Sequence, residues 1–309
     1  MAQPDQTSTL RQMAAARAEQ QDTDAIGSET TPPRRNGTAR RRVTHVLSVT
    51  SGKGGVGKTC FVINVAIALS ERHKKVLVLD ADMGLANVDI LLGITSRSNL
   101  SHVLRDEKTL DEVIVEGPSG IHVLPAASGL EWMVNLTGEQ RVTFLQKMDA
   151  LNGRYDILLL DTGAGISSNV TYFNLAAQTR IVVVTPEPTS LTDAYALIKV
   201  LHQSHSVRSF EVVVNSVHGE QEALEVYRSL TTVADRFLDV RLGYLGCIER
   251  DDQVRQAVLK QKPVVLLYPE GKVARSYRGI AQRIAQLPVE AMGNELGLFW
   301  RTMVEKDHV

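Results

Sequence analysis

Ser51-Gly52-Lys53-Gly54-Gly55-Val56-Gly57-Lys58-Thr59 stands between an apolar run, His45-Val46-Leu47-Ser48-Val49-Thr50, and an apolar-periodic segment from Phe61 to Leu69. A strand, a glycine-rich loop and a helix therefore meet at a G-x-x-x-x-G-K-[ST] spacing that runs from Gly52 to Thr59. Glycines let such a loop curl so that successive backbone N–H groups converge on phosphate oxygens, and the helix N-terminus adds a partial positive charge. Lys58 is placed to reach the β- and γ-phosphates and Thr59 to offer its hydroxyl to Mg²⁺. The expected phosphate-contacting set is Gly52, Lys53, Gly54, Gly55, Val56, Gly57, Lys58, Thr59 and Cys60. Lys53 is a second lysine for which this mechanism has no use.

The same alternation of short apolar runs and helical stretches continues outward from the loop. Strands are expected at His45–Thr50, Val76–Leu79, Ile121–Leu124, Ile157–Leu160, Ile181–Thr185, Glu211–Val214 and Leu242–Ile248. Most are continuous apolar runs, the pattern of parallel strands buried on both faces. With helices between them they predict an α/β fold: a doubly wound, mostly parallel sheet in a single domain. Residues 1–42 are rich in Gln, Ala, Thr and Arg and read as a flexible tail with one short helix-prone piece; 43–287 read as the domain, and 288–309, after Pro288, as a C-terminal amphipathic segment.

Two strand ends carry acid. Asp161 closes Tyr155-Asp156-Ile157-Leu158-Leu159-Leu160 and precedes Thr162-Gly163-Ala164-Gly165, which places a carboxylate to hold Mg²⁺. In Val78-Leu79-Asp80-Ala81-Asp82, the two acids alternate along extended backbone and so point the same way. Asp80 is the candidate to support the metal shell and Asp82 to orient the attacking water. The residues themselves give Lys58 and Asp82 as the catalytic set, and Thr59, Asp80 and Asp161 as the metal set.

These three segments resemble the MinD/ParA ATPases. Lys53–Thr59 is similar to their deviant phosphate loop, Asp80–Asp89 to their first switch region, and Asp161–Gly165 to their second. The resemblance implies that Lys53 reaches across a dimer interface to the partner's phosphates, so that ATP binding builds a homodimer and hydrolysis, cycling through ADP, dissolves it. It also sets Asn215 against adenine, with Ile248 and Asp251 in the loop that flanks the base; Glu249 replaces the proline usual there. Glu187-Pro188-Thr189-Ser190-Leu191-Thr192-Asp193-Ala194-Tyr195-Ala196-Leu197-Ile198-Lys199 resembles the flagellar-number regulators FlhG, also called FleN or YlxH. That branch implies an FlhF-type GTPase as partner, together with flagellar C-ring proteins or a flagellar transcription regulator. Division-site placement or chromosome partition is the second reading of the cargo, and a metabolic ATP-dependent enzyme on the same fold ranks below both.

Both termini bear on partners. Asp5-Gln6-Thr7-Ser8-Thr9-Leu10-Arg11 resembles the element with which FlhG proteins activate FlhF, with Asp5, Gln6, Leu10 and Arg11 as the contact residues. Near the other end, Leu296, Phe299, Trp300 and Met303 share one helical face. That face suits peripheral contact with the inner face of the cell membrane, or packing on the body. Arg40-Arg41-Arg42 lies in the tail without interleaved aromatics, so specific DNA binding is not expected. The net charge of -1 gives no overall bias toward nucleic acid or membrane. Two cysteines without metal-ligand spacing, no run of about 18 apolar residues and no signal-peptide core all point to the cytoplasm.

Overall fold

The computed structural model describes residues 44–81, 88–94, 98–125 and 137–289, together with position 301. These lie in one compact unit, Arg41–Val309. Its sheet has eight strands: β1 (His45–Ser51), β2 (Val76–Ala81), β3 (Val115–Glu116), β4 (His122–Pro125), β5 (Ile157–Ala164), β6 (Thr179–Val184), β7 (Ser209–Val217) and β8 (Arg241–Glu249). Their order is β3-β4-β2-β5-β1-β6-β7-β8, and every neighbouring pair is parallel except β3 with β4. All seven expected strands are present. The two-residue antiparallel β3 is the addition, too short to leave a period in the sequence.

The helices, in chain order, are α1 (Lys58–Ser70), α2 (Val88–Leu92), α3 (Leu100–Leu104), α4 (Leu110–Val113), α5 (Gly138–Asp149), α6 (Ser168–Ala176), α7 (Pro188–His205), α8 (Glu220–Phe237), α9 (Asp252–Leu259), α10 (Val264–Leu267) and α11 (Lys272–Gln286). One face of the sheet packs against α1, α2, α9, α10 and α11, and the opposite face against α3 to α8. Helix α1 is buried on nearly every side because it sits between the sheet and α11; Phe61 meets Tyr277 with ring centroids 6.3 Å apart. Helix α11 buries one stripe instead, Val273, Ala274, Tyr277, Ile280, Ala281 and Ile284, at three- and four-residue spacing. Each large apolar side chain so buried contributes about 1.5–3 kcal/mol, which holds both ends of α1 in place. Leu287, after α11, is extended (ψ 139°), as the residue before Pro288 must be.

The register decides where the acids fall. Strand β5 continues three residues past Asp161 to Ala164, so Asp161 lies inside the strand and not at its end. It is registered against Val49 of β1 on one side and Asp80 of β2 on the other. By the two-residue alternation, Asp80 and Asp161 share the face of Val78, Leu159 and Val49, the face that packs on α1. No described helix is long and apolar enough to cross a membrane.

Candidate functional site

The glycine-rich loop leaves the C-terminal end of β1, the central strand flanked by β5 and β6, and turns into α1. Ligands of open parallel sheets bind at this edge. Gly57 is the N-cap of α1 with φ +91°, in the left-handed region that a side chain disfavours, and it offers no side chain to cap the helix. The first turn therefore begins with backbone N–H groups instead of a capping oxygen, the arrangement that receives an anion. Lys58 opens the helix and is buried, while Thr59 and Cys60 are half-buried beside it. Burial also pushes the Cys60 thiol up, which keeps it protonated.

Gly52 answers a different constraint. A Cβ there would lie 2.1 Å from the carbonyl carbon of Asp193 and 2.5 Å from the nitrogen of Ala194, so the backbone of α7 packs directly on the loop. Helix α7 also holds the neighbouring lysine. Lys53 Nζ donates to Glu187 Oε2 at 2.6 Å and to Thr189 Oγ1 at 3.2 Å, at the first turn of that helix. The sequence had marked the segment Glu187–Lys199 without giving Glu187 or Thr189 a role. Inside the loop, the Ser51 hydroxyl donates to the Lys53 carbonyl at 2.6 Å.

Beneath the loop, Asp161 is fully buried and Asp80 nearly so, side by side on the α1 face. The Thr162 hydroxyl donates to the Val49 carbonyl at 2.9 Å, and Gly165 N–H to the Ser51 carbonyl at 2.9 Å. The segment after Asp161 is thus tied to β1 and to the mouth of the loop. A buried polar relay, not singled out from sequence, underlies β1: the Ser48 hydroxyl donates to Asn174 Oδ1 at 2.9 Å, and Asn174 Nδ2 donates to the Val170 carbonyl at 2.7 Å. The hydroxyls of Ser48 and Thr50, set between the apolar residues of β1, were the signal for such a partner, since a buried hydroxyl needs a hydrogen bond.

The residues expected at the base also make bonds within the chain. Asn215 Nδ2 donates to the Val56 carbonyl at 2.7 Å, and its Oδ1 accepts the Ser216 N–H at 2.9 Å. The carboxamide therefore braces the phosphate loop and has one N–H remaining. Asp251 caps α9, its carboxylate accepting the Gln253 N–H at 2.8 Å. The Ile248 side chain is buried in the core, which leaves its backbone as the part near any ligand. Asp82, the tail residues Asp5, Gln6, Leu10 and Arg11, and the C-terminal residues Leu296, Phe299, Trp300 and Met303 lie outside the described residues.

These features fit a magnesium nucleotide. A helix N-terminus without a cap and a buried lysine suit the phosphates, and a hydroxyl with two buried carboxylates supplies the hard oxygen donors that Mg²⁺ takes. Comparison with known proteins gives the same answer. The family pattern described as an AAA domain (AAA_31) matches residues 44–211. The antiactivator FleN of Pseudomonas aeruginosa is 44% identical over 246 residues, 80% of this chain and 88% of FleN. The flagellum site-determining protein YlxH of Helicobacter pylori is 33% identical over 239 residues, 77% of this chain and 81% of YlxH. Among solved structures, the septum site-determining protein MinD of Pyrococcus horikoshii in complex with Mg-ADP superposes with a TM-score of 0.61 at 27% identity, covering 78% of this chain and 96% of that one. The chain belongs to the MinD/ParA family of P-loop ATPases, which use ATP, ADP and Mg²⁺, and within it is FleN- and FlhG-like.

Proposed function

We propose that this ATPase is a dimerisation switch that sets flagellar number and placement. The observation that carries the reading is the 44% identity to the antiactivator FleN across most of both chains, supported by YlxH, a flagellum site-determining protein. The loop N–H groups and Lys58 hold the β- and γ-phosphates, while Thr59, Asp80 and Asp161 form the Mg²⁺ shell. Magnesium, when bound, neutralises charge on the phosphate oxygens. Asp82 orients the attacking water. Asn215 and the segment containing Ile248 and Asp251 flank the base.

Lys53 is the residue that makes the site half of a pair. Its ammonium stands at the loop's outer face, 40% exposed, and supplied to a partner's phosphates it would stabilise transition-state charge as an arginine finger does. Hydrolysis then depends on dimerisation, and turnover is slow because the output is an assembled surface. That surface, with the tail residues Asp5, Gln6, Leu10 and Arg11, engages an FlhF-type GTPase and a flagellar C-ring protein or transcription regulator. The Leu296, Phe299, Trp300 and Met303 face adds peripheral membrane contact in the ATP-bound dimer.

The test measures mass by light scattering and ATPase rate with and without purified FlhF and liposomes. Wild type should dimerise with a non-hydrolysed ATP analogue and Lys53→Ala should remain monomeric while still binding nucleotide. Deleting residues 1–20 should abolish stimulation of FlhF. A Lys53→Ala variant that dimerises normally, or a tail deletion that still stimulates FlhF, would sink the corresponding assignment.

A further inference from the structure

A cleft of about 550 Å³ opens at the N-terminal edge of the sheet, the end away from the phosphate loop. The turn between α1 and β2 supplies His73, Lys74 and Lys75; His122 begins β4; Arg154 and Tyr155 lead into β5. No carboxylate lines it among the described residues. Two carboxylates bond to residues that line it. Arg154 Nη2 pairs with Asp111 at 2.6 Å, and Asp156 Oδ2 accepts the backbone N–H of Lys75 at 2.8 Å.

The polar groups are held in place. The Tyr155 hydroxyl lies 2.6 Å from His122 Nδ1, and the two rings meet edge to face at 5.5 Å. The Tyr155 ring is buried, and burial pushes its phenol up from the ordinary value, so it stays a neutral hydrogen-bonding group. The Tyr155 hydroxyl and His122 Nδ1 share one hydrogen bond, and the direction of that bond follows the imidazole tautomer. The Arg154 guanidinium lies 5.9 Å from the Tyr155 ring centroid, and its fork keeps further N–H donors beyond the one given to Asp111. Lys74 is half-buried and Lys75 exposed.

We propose that this cleft binds a phosphorylated small molecule of about mononucleotide size, at a site separate from the ATP site. The volume falls in the range of about 300–1,000 Å³ that small-ligand pockets occupy. A planar fork with two ammonium groups is the set that recognises a phosphate dianion. The C-terminal carbonyls of α1 point toward this end with about half a negative charge; Arg154 is paired with Asp111, and the charges of Lys74 and Lys75 outweigh that half charge. The cleft and the ATP site share two elements: Lys58 and Ser70 are the two ends of α1, about 20 Å apart, and Arg154 and Tyr155 precede the strand that carries Asp161.

Calorimetric titration of the full chain, saturated with Mg-ADP so that the phosphate loop is filled, tests the site with inorganic pyrophosphate as the probe. One equivalent of pyrophosphate should bind. Lys74→Gln with Lys75→Gln, and separately Arg154→Gln, should weaken it at least tenfold. Lys260→Gln with Lys262→Gln, which removes equal charge elsewhere, should leave it unchanged. A parallel sedimentation with vesicles containing phosphatidylglycerol identifies the source of the phosphate. Vesicle binding that pyrophosphate displaces and the cleft variants lose assigns it to a lipid headgroup, and its absence assigns it to a soluble phosphoester; both outcomes keep the site. Absence of pyrophosphate binding, or equal loss in the Lys260/Lys262 control, overturns the proposal.

Discussion

Replacing Glu187 by Gln should strengthen ATP-driven dimerisation. In the single chain the Lys53 ammonium is held by the Glu187 carboxylate at 2.6 Å and by the Thr189 hydroxyl at 3.2 Å. The side chains are 40% and 63% exposed, so water screens the pair and its worth is that of a surface ion pair, about 0.5–1 kcal/mol. In the proposed dimer Lys53 reaches the second protomer's phosphates, and to do so it has to leave this partner first. Removing the carboxylate lifts that cost, about twofold to fivefold in equilibrium constant for each protomer at 1.4 kcal/mol per decade. Two lysines move when a symmetric dimer forms, so the dimer constant should rise by about fivefold to thirtyfold. Sedimentation equilibrium with a non-hydrolysed ATP analogue reads this directly, and low salt should enlarge the difference. Melting should hardly change, because the pair contributes little to the fold. A weaker dimer in Glu187→Gln would refute the reasoning and give Glu187 a positive role in the assembled state.

Three further outcomes follow from contacts in the single chain. Gly52→Ala drives a methyl into the α7 backbone, an overpacking worth about 1–3 kcal/mol that should lower the melting temperature by about 3–10 °C, whereas Gly54→Ala, which meets nothing within 4 Å, should be close to neutral in the same thermal scan. Asn215→Ala removes the donor to the Val56 carbonyl; at about 1 kcal/mol the loop should bind ADP about fivefold more weakly in a calorimetric titration, while a variant that binds normally would show that the brace is dispensable. His45 is buried against Thr179 and its imidazole is pushed down to about 4 by desolvation, against about 6.5 when unfolded. Below about pH 6.5 the unfolded chain takes up a proton that the folded chain refuses, so stability falls as pH drops toward 4, by about 3 kcal/mol in all. Urea unfolding across that window should lose one proton's worth of slope in His45→Gln, and an unchanged slope would reject the assignment.

Most of the sheet was legible because its central strands are buried on both faces. A parallel strand covered in this way leaves an unbroken apolar run, and Ile157–Leu160 or Val212–Val214 can hardly be read otherwise. The extent of β5 was not legible: Thr162-Gly163-Ala164 has the composition of a loop, and it is held extended by bonds to Val49 and Ser51 from a distant strand. The phosphate loop declared itself by spacing, since its chemistry is local. What braces it did not. Lys53 and Glu187 are 134 positions apart, and Asn215 and Val56 are 159 apart, so no periodicity connects them. Asn215 was singled out for the base and turned out to spend one N–H on the loop, because an amide at the end of β7 lies beside the turn into α1.

Helix α7 touches the phosphate loop at two successive points, the Lys53 ammonium at its first turn and the flat face of Gly52 a turn later. From these points on, Ala194, Leu197, Ile198 and Leu201 bury the helix against the sheet, so the loop rests on an element that is itself fixed in the core. Glycine at position 52 is thus a seat as well as a turn residue: its lack of a side chain lets the α7 backbone lie directly on the loop.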